Sequence, residues 1–463
     1  MFDSSVYINR RKALREKVSS GLILILGNNE APANFPDNTY KFRQDSTFLY
    51  FFGHNHPGYA GVIDVESGED MFFGDDVTMD DIIWMGPQPS VKDLAARVGV
   101  SKSAPFARLK EVVGKAISQR RKIHFLPPYR HDNMMLLEDL TGIRASMTRQ
   151  HASVELIKAV VALRSVKEAC EIEEIDKACN IGYEMHTAAM RLCKPGVSEQ
   201  YIAGILDGIA SSYGNMVSFA TILTQNGQTL HNHDHSHILE AGRLMLTDAG
   251  AESVTNYCSD HTRTVPVGGK FTPRQLDVYN IVLACHGKAR EMARPGVTYK
   301  SVHLDVCKVL AQGLKDLGLM KGNVDEAVAA GAHALFLPHG LGHMMGIDVH
   351  DMEDLGQIYV GYDDEIRPSD QFGLASLRMG RRLQEGFVIT DEPGCYFIPA
   401  LIDKWRAEKT CADFLDFDAI DKYKDFGGIR LEDDLLITAN GSRFTGEKHI
   451  PITPEEVEKI MNE

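Results

Sequence analysis

The sequence predicts an α/β (α+β) protein with two domains, of which the N-terminal one is the smaller. Three observations lead to this prediction. The chain has 463 residues, a length that favours two domains over one. Its first part, of about 150 residues, alternates short apolar segments with segments of helical spacing. A long stretch rich in helix-forming residues begins near residue 153. We therefore expect an N-terminal domain at residues 1–155 and a C-terminal domain at residues 156–463.

The elements of the N-terminal domain are predicted from its apolar segments. GLILILG (21–27) is typical of a short buried strand, and KIHFLPP (122–128) of another. Between them, three segments bounded by turn residues are predicted to be β-rich: FRQDSTFLYFFG (42–53), GYAGVIDV (58–65) and MFFG (71–74). Helical spacing marks VKDLAARV (91–98) and LKEVVGKAISQ (109–119).

The C-terminal domain contains an internal repeat. Lys194-Pro195-Gly196-Val197-Ser198 recurs as Arg294-Pro295-Gly296-Val297-Thr298, an offset of 294 − 194 = 100 residues. Each copy follows one helical segment and precedes another, so Pro and Gly end the first helix and Ser or Thr caps the second. A recurrent helix–turn–helix would explain the pattern. We favour a duplicated α/β half with a site between the two copies, because the phrases described below also divide between them.

Composition excludes several classes of protein. The formal net charge of −15 argues against nucleic acid and anionic membranes as partners. No apolar run approaches the roughly 18–20 residues of a membrane span. The N-terminal segment MFDSSVYINRRKALREK lacks the apolar core of a signal peptide. Eight cysteines without a CxxC pair are typical of reduced thiols that fill the core, so we expect a cytoplasmic protein.

Five residues in distinctive phrases suggest a metal site. The phrases are LMLTDAGAE (244–252), CSDHTRT (258–264), LPHGLGHMMGIDVHD (337–351), ITDEPGCY (389–396) and GGIRLEDDLLIT (427–438), and the residues are Asp248, Asp260, His343, Glu392 and Glu432. A single carboxylate is usually a solvated surface group. Carboxylates that end apolar runs need partners, because an unpaired buried charge is costly. Four carboxylates and an imidazole suit two hard or borderline divalent ions.

In this order, after a smaller N-terminal domain, the phrases closely resemble those of the pita-bread metallopeptidases. FRQDSTFLYFFG resembles the N-terminal-domain signature of the proline-specific members, the Xaa-Pro aminopeptidases and Xaa-Pro dipeptidases (prolidases). HGLGHMMGIDVHD, EPGCYF and GIRLEDD are highly specific when found together. The resemblance implies a C-terminal pita-bread domain, a duplicated α/β fold, behind an N-terminal domain like that of creatinase and aminopeptidase P.

The resemblance also implies a ligand set. Asp248 would chelate the first metal ion, Asp260 and Glu432 would bridge both ions, and His343 and Glu392 would complete the second. Manganese is the expected ion, with cobalt or zinc as alternatives. Glu392 would also be the general base. The Asp spacing, 260 − 248 = 12, is one longer than family members commonly show, which we assign to an extra residue in the hairpin segment ESVTNYC.

Three further histidines are predicted in the site. His350 resembles the histidine that contacts the substrate carbonyl, and His231 the mobile histidine that meets the substrate. His339 lies four residues before His343, on one face if this segment is a helical turn, and is either a substrate contact or a structural residue. The alternating histidines in HNHDHSH (231–237) suggest metal binding, but beyond His231 a solvated loop is the simpler interpretation.

Two arginines complete the prediction. Arg430 is two residues before Glu432, on the same face of a strand, and is expected beside the metal ions. Arg378, in GLASLRMGRRLQEG (373–386), matches the arginine with which prolidases clamp the terminal carboxylate of a dipeptide. The alternative is a surface arginine in an arginine-rich turn.

The expected function is hydrolysis of Xaa-Pro bonds by a homodimeric metallo-exopeptidase, with dipeptides as substrates. The first alternative is an Xaa-Pro aminopeptidase that acts on longer peptides. Creatinase-like chemistry on the same fold is disfavoured, because creatinase lacks the metal set. A non-catalytic pita-bread binding module is disfavoured because such modules lose metal ligands.

Overall fold

The computed structural model describes all 463 residues and shows a mixed α/β architecture. The helices in chain order are α1 Ser4–Lys17, α2 Ser46–Phe52, α3 Met79–Met85, α4 Val91–Arg97, α5 Leu109–Ser118, α6 His131–Thr141, α7 Val154–Ser165, α8 Ala169–Leu192, α9 Glu199–Ser212, α10 Pro273–Met292, α11 Tyr299–Asp316, α12 Val324–Ala329, α13 Gln357–Val360, α14 Pro399–Glu408, α15 Phe417–Ile420 and α16 Pro454–Asn462. The strands are β1 Leu22–Leu26, β2 Pro32–Phe35, β3 Asn38–Thr39, β4 Ala60–Asp64, β5 Asp70–Phe73, β6 Lys102–Ala104, β7 Ile123–His124, β8 Ile222–Thr224, β9 Leu244–Ala249, β10 His261–Pro266, β11 Val388–Asp391, β12 Gly394–Tyr396, β13 Gly428–Arg430, β14 Asp433–Thr438 and β15 Gly441–Phe444.

The chain forms two compact units. The smaller contains Met1–Arg164 with Asp354–Tyr359, and the larger contains Ser165–Glu353 and Val360–Glu463. The division at 155/156 stays a prediction. No helix combines the length and the apolar character that a membrane span requires. All eight cysteines are free thiols.

The smaller unit is built on a five-stranded sheet with strand order β6-β5-β4-β1-β7. Strand β1 is antiparallel to β4 and parallel to β7. The apolar faces of these strands pack with α5 and α6 in a core that includes Leu24, Val62, Phe73, Val113 and Leu137. The strands predicted in 21–27, 58–65, 71–74 and 122–128 and the helices predicted in 91–98 and 109–119 are confirmed.

The β-rich prediction for residues 42–53 is wrong, because residues 46–52 form helix α2. Asp45 caps its first turn by accepting a hydrogen bond from the backbone N–H of Phe48, and Gly53 ends it in the left-handed conformation. All seven residues of the helix are buried. A run of aromatic residues buried on every side has no polar face, so its periodicity does not distinguish a helix from a strand.

The larger unit shows the repeat as two matching turns. One joins α8 to α9 and the other α10 to α11. Gly196 and Gly296 have φ values of 86° and 88°, a left-handed conformation that glycine adopts without steric strain. Each turn also pairs with a distant segment, through the bridges Ser198↔Ile238 and Thr298↔Arg382. Each half contributes one three-stranded antiparallel sheet, β10-β9-β8 and β11-β14-β15.

The first of the five phrases, LMLTDAGAE (244–252), begins with strand β9 of the β9–β10 hairpin. Thr262 pairs with Asp248 and His261 with Ala249 in a regular register. The longer connection between the strands contains a bridge from Glu252 to Cys258 and a left-handed residue, Asn256, with φ 69°. The strand that contains Asp248 therefore keeps a regular pairing, and the position of the extra residue stays a prediction.

Candidate active site

One cavity of about 620 Å³ in the larger unit brings together all the residues that the sequence singled out. Its lining includes Asp248, Asp260, His343, Glu392 and Glu432, and also His231, His339, His350, Arg378 and Arg430. Phe219, Ile222, Leu230 and Val349 add an apolar wall. A concave site with an apolar wall and a few converging polar groups is typical of a small-ligand or peptide-end pocket.

The four carboxylates of the cavity lie in or directly beside strands of the larger unit. Asp248 lies in β9, and Asp260 directly precedes β10. Glu392 directly follows β11. Glu432 forms an isolated bridge with Thr262 of β10, which joins the two halves of the unit at this point. The four carboxylates therefore converge although 432 − 248 = 184 residues separate the first from the last. We call Asp248, Asp260, Glu392 and Glu432 the carboxylate cluster.

The carboxylate cluster is electrostatically strained in the absence of cations. Burial raises the pKa of Asp260 and of Glu432 well above the usual range, and the neighbouring carboxylates raise both further. Burial likewise raises the pKa of Glu392 to about 8. Positive charge supplied inside the cavity would relieve this repulsion.

Arg430 is the one cationic side chain bonded directly to the cluster. Its Nη2 donates to Asp248 Oδ2 at 2.6 Å, and its Nε donates to Thr262 Oγ1 at 3.1 Å. Thr262 Oγ1 in turn donates to Glu432 Oε2 at 2.7 Å. Only one guanidinium is hydrogen-bonded to the four carboxylates, so direct ion pairs with the protein would offset little of the charge that the cluster has when ionised.

The geometry of His343 fits a cation. Its Nδ1 lies 3.0 Å from the carbonyl of Met344, which can only accept, so Nδ1 is the protonated nitrogen. Burial lowers the pKa of His343 well below its usual value, so the ring is neutral and Nε2 has a lone pair. His343 Nε2 lies 3.4 Å from Asp260 Oδ2. Two donor atoms at this distance can both bind one metal ion.

Two buried carboxylate oxygens without hydrogen-bond partners also fit a metal site. Asp248 Oδ1 and Asp260 Oδ1 are buried and have no hydrogen-bond partner. Asp260, His343 and Glu432 offer ligand atoms that all lie within 4.8 Å of one another. Because buried carboxylate oxygens are nearly always satisfied, the donor set fits divalent cations.

The segment around His339 and His343 is an irregular loop, so a helical turn as the basis for grouping them is wrong. Gly342 packs against the backbone of Thr390, and Gly340 against that of Leu377, so tightly that a Cβ at either position would clash. His339 nevertheless faces the cluster, with Nδ1 3.6 Å from Glu392 Oε2. Its Nε2 lies 2.8 Å from the hydroxyl of Tyr396.

His350 and Arg378 share one acidic partner, Glu353. The ring of His350 stacks on that of His343 with centroids 3.8 Å apart. His350 Nδ1 donates to Glu353 Oε2 at 2.5 Å, and Arg378 Nη1 donates to Glu353 Oε1. Glu353 therefore fixes the orientation of both side chains at one side of the cavity.

The four histidines of segment 231–237 do not share one set of contacts. His231 and His233 line the cavity. His235 Nδ1 lies 2.9 Å from the carbonyl of Leu223, and His237 Nδ1 lies 3.2 Å from Glu199 Oε2. The alternating histidines therefore do not form a joint metal cluster.

Sequence reasoning missed three residues that hold the site together: Thr262, Glu353 and Tyr396. Tyr396 lies in the quoted phrase EPGCYF, and its hydroxyl accepts from Arg430 Nη1 at 3.0 Å and contacts His339. Thr262 lies in CSDHTRT, two residues after Asp260. Proximity to predicted ligands was a usable signal for both. Glu353 offered none, because a carboxylate in the acidic run DMED is ordinary in sequence.

Comparison with known proteins gives a consistent result. Residues 173–439 match the model of metallopeptidase family M24, and residues 7–124 match the N-terminal domain of aminopeptidase P. The chain is 31% identical to the Xaa-Pro dipeptidase of Homo sapiens, over 96% of this chain and 89% of that protein. It is 29% identical to the Xaa-Pro aminopeptidase of Escherichia coli strain K12, over 98% and 96% of the two chains. A solved structure of zinc-substituted E. coli aminopeptidase P in complex with product superposes with a TM-score of 0.82 at 28% identity, covering 100% of this chain and 98% of that one.

Proposed function

The chain belongs to metallopeptidase family M24 and is a metallo-exopeptidase that uses divalent metal ions, and from this premise we propose that it hydrolyses Xaa-Pro bonds, with dipeptides as its preferred substrates. The single observation that supports the proposal most is the cavity in which the five ligand candidates and Arg378 meet. Relatives named for Xaa-Pro dipeptidase and for Xaa-Pro aminopeptidase activity agree on the bond that is cut.

We propose that Asp248, Asp260, His343, Glu392 and Glu432 hold two divalent ions. Bound ions of this kind lower the pKa of a shared water and polarise the scissile carbonyl. Manganese is the ion we propose, because four of the five donors are hard carboxylates and only one is an imidazole.

The chain's own residues are assigned the remaining steps. Glu392 accepts the proton of the attacking water and returns it to the proline nitrogen, which leaves as an amine. The Xaa-Pro bond is a tertiary amide without an N–H, so the site needs no acceptor for that group. His350 contacts the substrate carbonyl, His231 and His339 contact the peptide, and Arg430 holds Asp248 in position.

Arg378 is the basis for choosing the dipeptidase. It lines the cavity and is 40% exposed, while Glu353 binds only its Nη1. The rest of the guanidinium edge can bind a carboxylate through a forked pair of charge-assisted hydrogen bonds. A dipeptide places its terminal carboxylate one residue beyond the cut bond, whereas a longer peptide has an amide there.

Arg378→Ala is therefore expected to raise KM for Ala-Pro by about 10- to 100-fold, since a hydrogen bond to a charged group contributes about 1.5–3 kcal/mol. The KM for Ala-Pro-Ala should change little. Steady-state kinetics on the two peptides measures the difference. Arg382→Ala is the matched control, because Arg382 lies 382 − 378 = 4 residues away, is paired with Glu365 and does not line the cavity. Equal changes for both peptides would favour the alternative.

That alternative is an Xaa-Pro aminopeptidase that removes the first residue of longer peptides. Its support is the similarity to aminopeptidase P along the whole chain. Under this alternative Arg378 would be a surface charge held by Glu353.

We also propose a cytoplasmic homodimer in which the N-terminal unit contributes to assembly. The proposal follows from the family resemblance and from eight free thiols. Light scattering of the purified protein should give twice the mass of one chain. A monomer with full activity would exclude the dimer as the functional form.

A further inference from the structure

A second cluster of metal-ligating side chains lies outside the active-site cavity. His303 and Cys307 are four residues apart on α11 and therefore lie on one face of that helix. His333 belongs to the 3₁₀ turn Ala332–Leu335, which packs against α11. One potential ligand atom from each of the three residues lies within 4.8 Å of the others, and Cys307 Sγ is 3.5 Å from His303 Nε2. We call His303, Cys307 and His333 the His–Cys cluster.

The His–Cys cluster contains buried polar atoms that have no hydrogen-bond partner within the protein. The three side chains are buried, with exposed fractions of 1% or less. Both ring nitrogens of His333 and Nδ1 of His303 have no hydrogen-bond partner. A buried polar atom left unpaired costs about 1–3 kcal/mol, and most buried side-chain groups in proteins avoid this. An apolar or aromatic residue in place of His333 would fill the same space without that penalty, so these nitrogen atoms are candidates for metal ligands.

The protonation states suit metal binding. Burial lowers the pKa of His303 to about 3 and that of His333 to about 4, so both rings are neutral, as metal ligation requires. Burial raises the pKa of the Cys307 thiol, so the group is protonated when no ion is bound. Binding of a divalent ion would break the S–H bond, form a sulfur–metal bond and release one proton to solvent.

We propose that His303, Cys307 and His333 form a zinc site that is separate from the catalytic metal ions. Two imidazoles and a thiolate are borderline-to-soft donors and select Zn²⁺ over the hard ions that a carboxylate-rich site accepts. The two sites of this chain therefore differ in the metal they select.

The position of the site suggests a structural role. His333 precedes His339 by 339 − 333 = 6 residues, and the chain between them leads from the 3₁₀ turn into the cavity wall. A zinc ion would tie α11 to the start of that segment. The cluster thus anchors the wall that contains His339, without contact with the substrate.

Cobalt provides the sharpest test, because cobalt bound to a thiolate shows a sulfur-to-metal charge-transfer absorption that cobalt bound to oxygen and nitrogen lacks. The carboxylate cluster contains no thiol, so the catalytic ions do not contribute this signal. The full-length protein would be produced in medium with Co²⁺ and its near-ultraviolet absorption recorded. We expect the band in the wild-type protein and its loss in Cys307→Ser and in His333→Gln. Metal analysis after growth with Zn²⁺ should show one zinc fewer per chain in both variants.

Cys179→Ser is the matched control. Cys179 is also a buried thiol with a histidine and a carboxylate nearby, His261 and Asp434. The band should persist in this variant. Absence of the band from wild-type protein would overturn the proposal, as would a band that survives Cys307→Ser. If Cys307→Ser does not fold, His333→Gln and the wild-type spectrum decide the question. Zinc that remains after both substitutions would be zinc bound by the carboxylate cluster or adventitious zinc.

Discussion

Replacement of Glu392 by Gln is expected to lower kcat for Ala-Pro by about 10³-fold or more, the magnitude of a lost general base. The substitution keeps the size of the side chain and removes its ability to accept a proton. It also removes one proposed metal ligand, so binding of one ion should weaken. The position of Glu392 supports this expectation, because its carboxylate lies 3.6 Å from His339 and 3.9 Å from His343.

Asp391→Asn is the control for this experiment. Asp391 is the neighbouring residue, is fully buried, and does not line the cavity. Burial raises its pKa well above the usual range, which favours the neutral acid, and Asn keeps the size of the side chain. Metal content and single-turnover rates should be measured for both variants. A Glu392→Gln variant that retains a tenth of wild-type kcat would remove Glu392 as the general base.

Replacement of Asp260 by Asn is expected to have opposite effects on the metal-free and metal-loaded proteins. As the proposed bridging ligand, Asp260 would contribute to both ions, so affinity for divalent metal should fall by at least about 100-fold, more than the 10- to 100-fold lost with outer-shell partners. Turnover should fall with it. In the metal-free protein, however, the substitution removes one carboxylate from a buried cluster of four and should raise Tm.

Thermal unfolding with and without Mn²⁺ separates the two effects. Wild-type protein should gain stability on adding metal, because an ion that binds only the folded state stabilises it. Asp260→Asn should start from a higher Tm and gain much less. If metal stabilises the variant as strongly as the wild type, Asp260 is not a ligand.

The candidate site could largely be predicted from the sequence because its residues lie in short phrases with strong local character. Asp248, Glu392 and Glu432 each follow an apolar segment that forms a strand, or an end of one, in the structure. Residues at the ends of strands lie beside the core. The resemblance to the pita-bread metallopeptidases indicated which other residues would bind metal together with them. The cavity that contains all ten predicted residues agrees with that expectation.

The features that the sequence did not predict depend on contacts between residues that are far apart in the chain. Helix α2 was missed because an all-buried aromatic run has no periodic signal. The pairing of Glu353 with Arg378 depends on the fold, because 378 − 353 = 25 residues separate the two. The His–Cys cluster contains Cys307 and His333, which lie 333 − 307 = 26 positions apart on two elements. No local sequence motif predicts that these two residues are close in space.

The most direct test of the proposed function is hydrolysis of Ala-Pro and of Ala-Pro-Ala by manganese-loaded protein, with and without a chelator. We expect rapid release of proline from Ala-Pro, slow cleavage of Ala-Pro-Ala, loss of both activities with the chelator, and recovery when Mn²⁺ is restored. Efficient, metal-dependent cleavage of the tripeptide would identify the aminopeptidase alternative. Absence of cleavage of either peptide by the metal-loaded protein, or cleavage that the chelator does not affect, would contradict a two-metal Xaa-Pro exopeptidase.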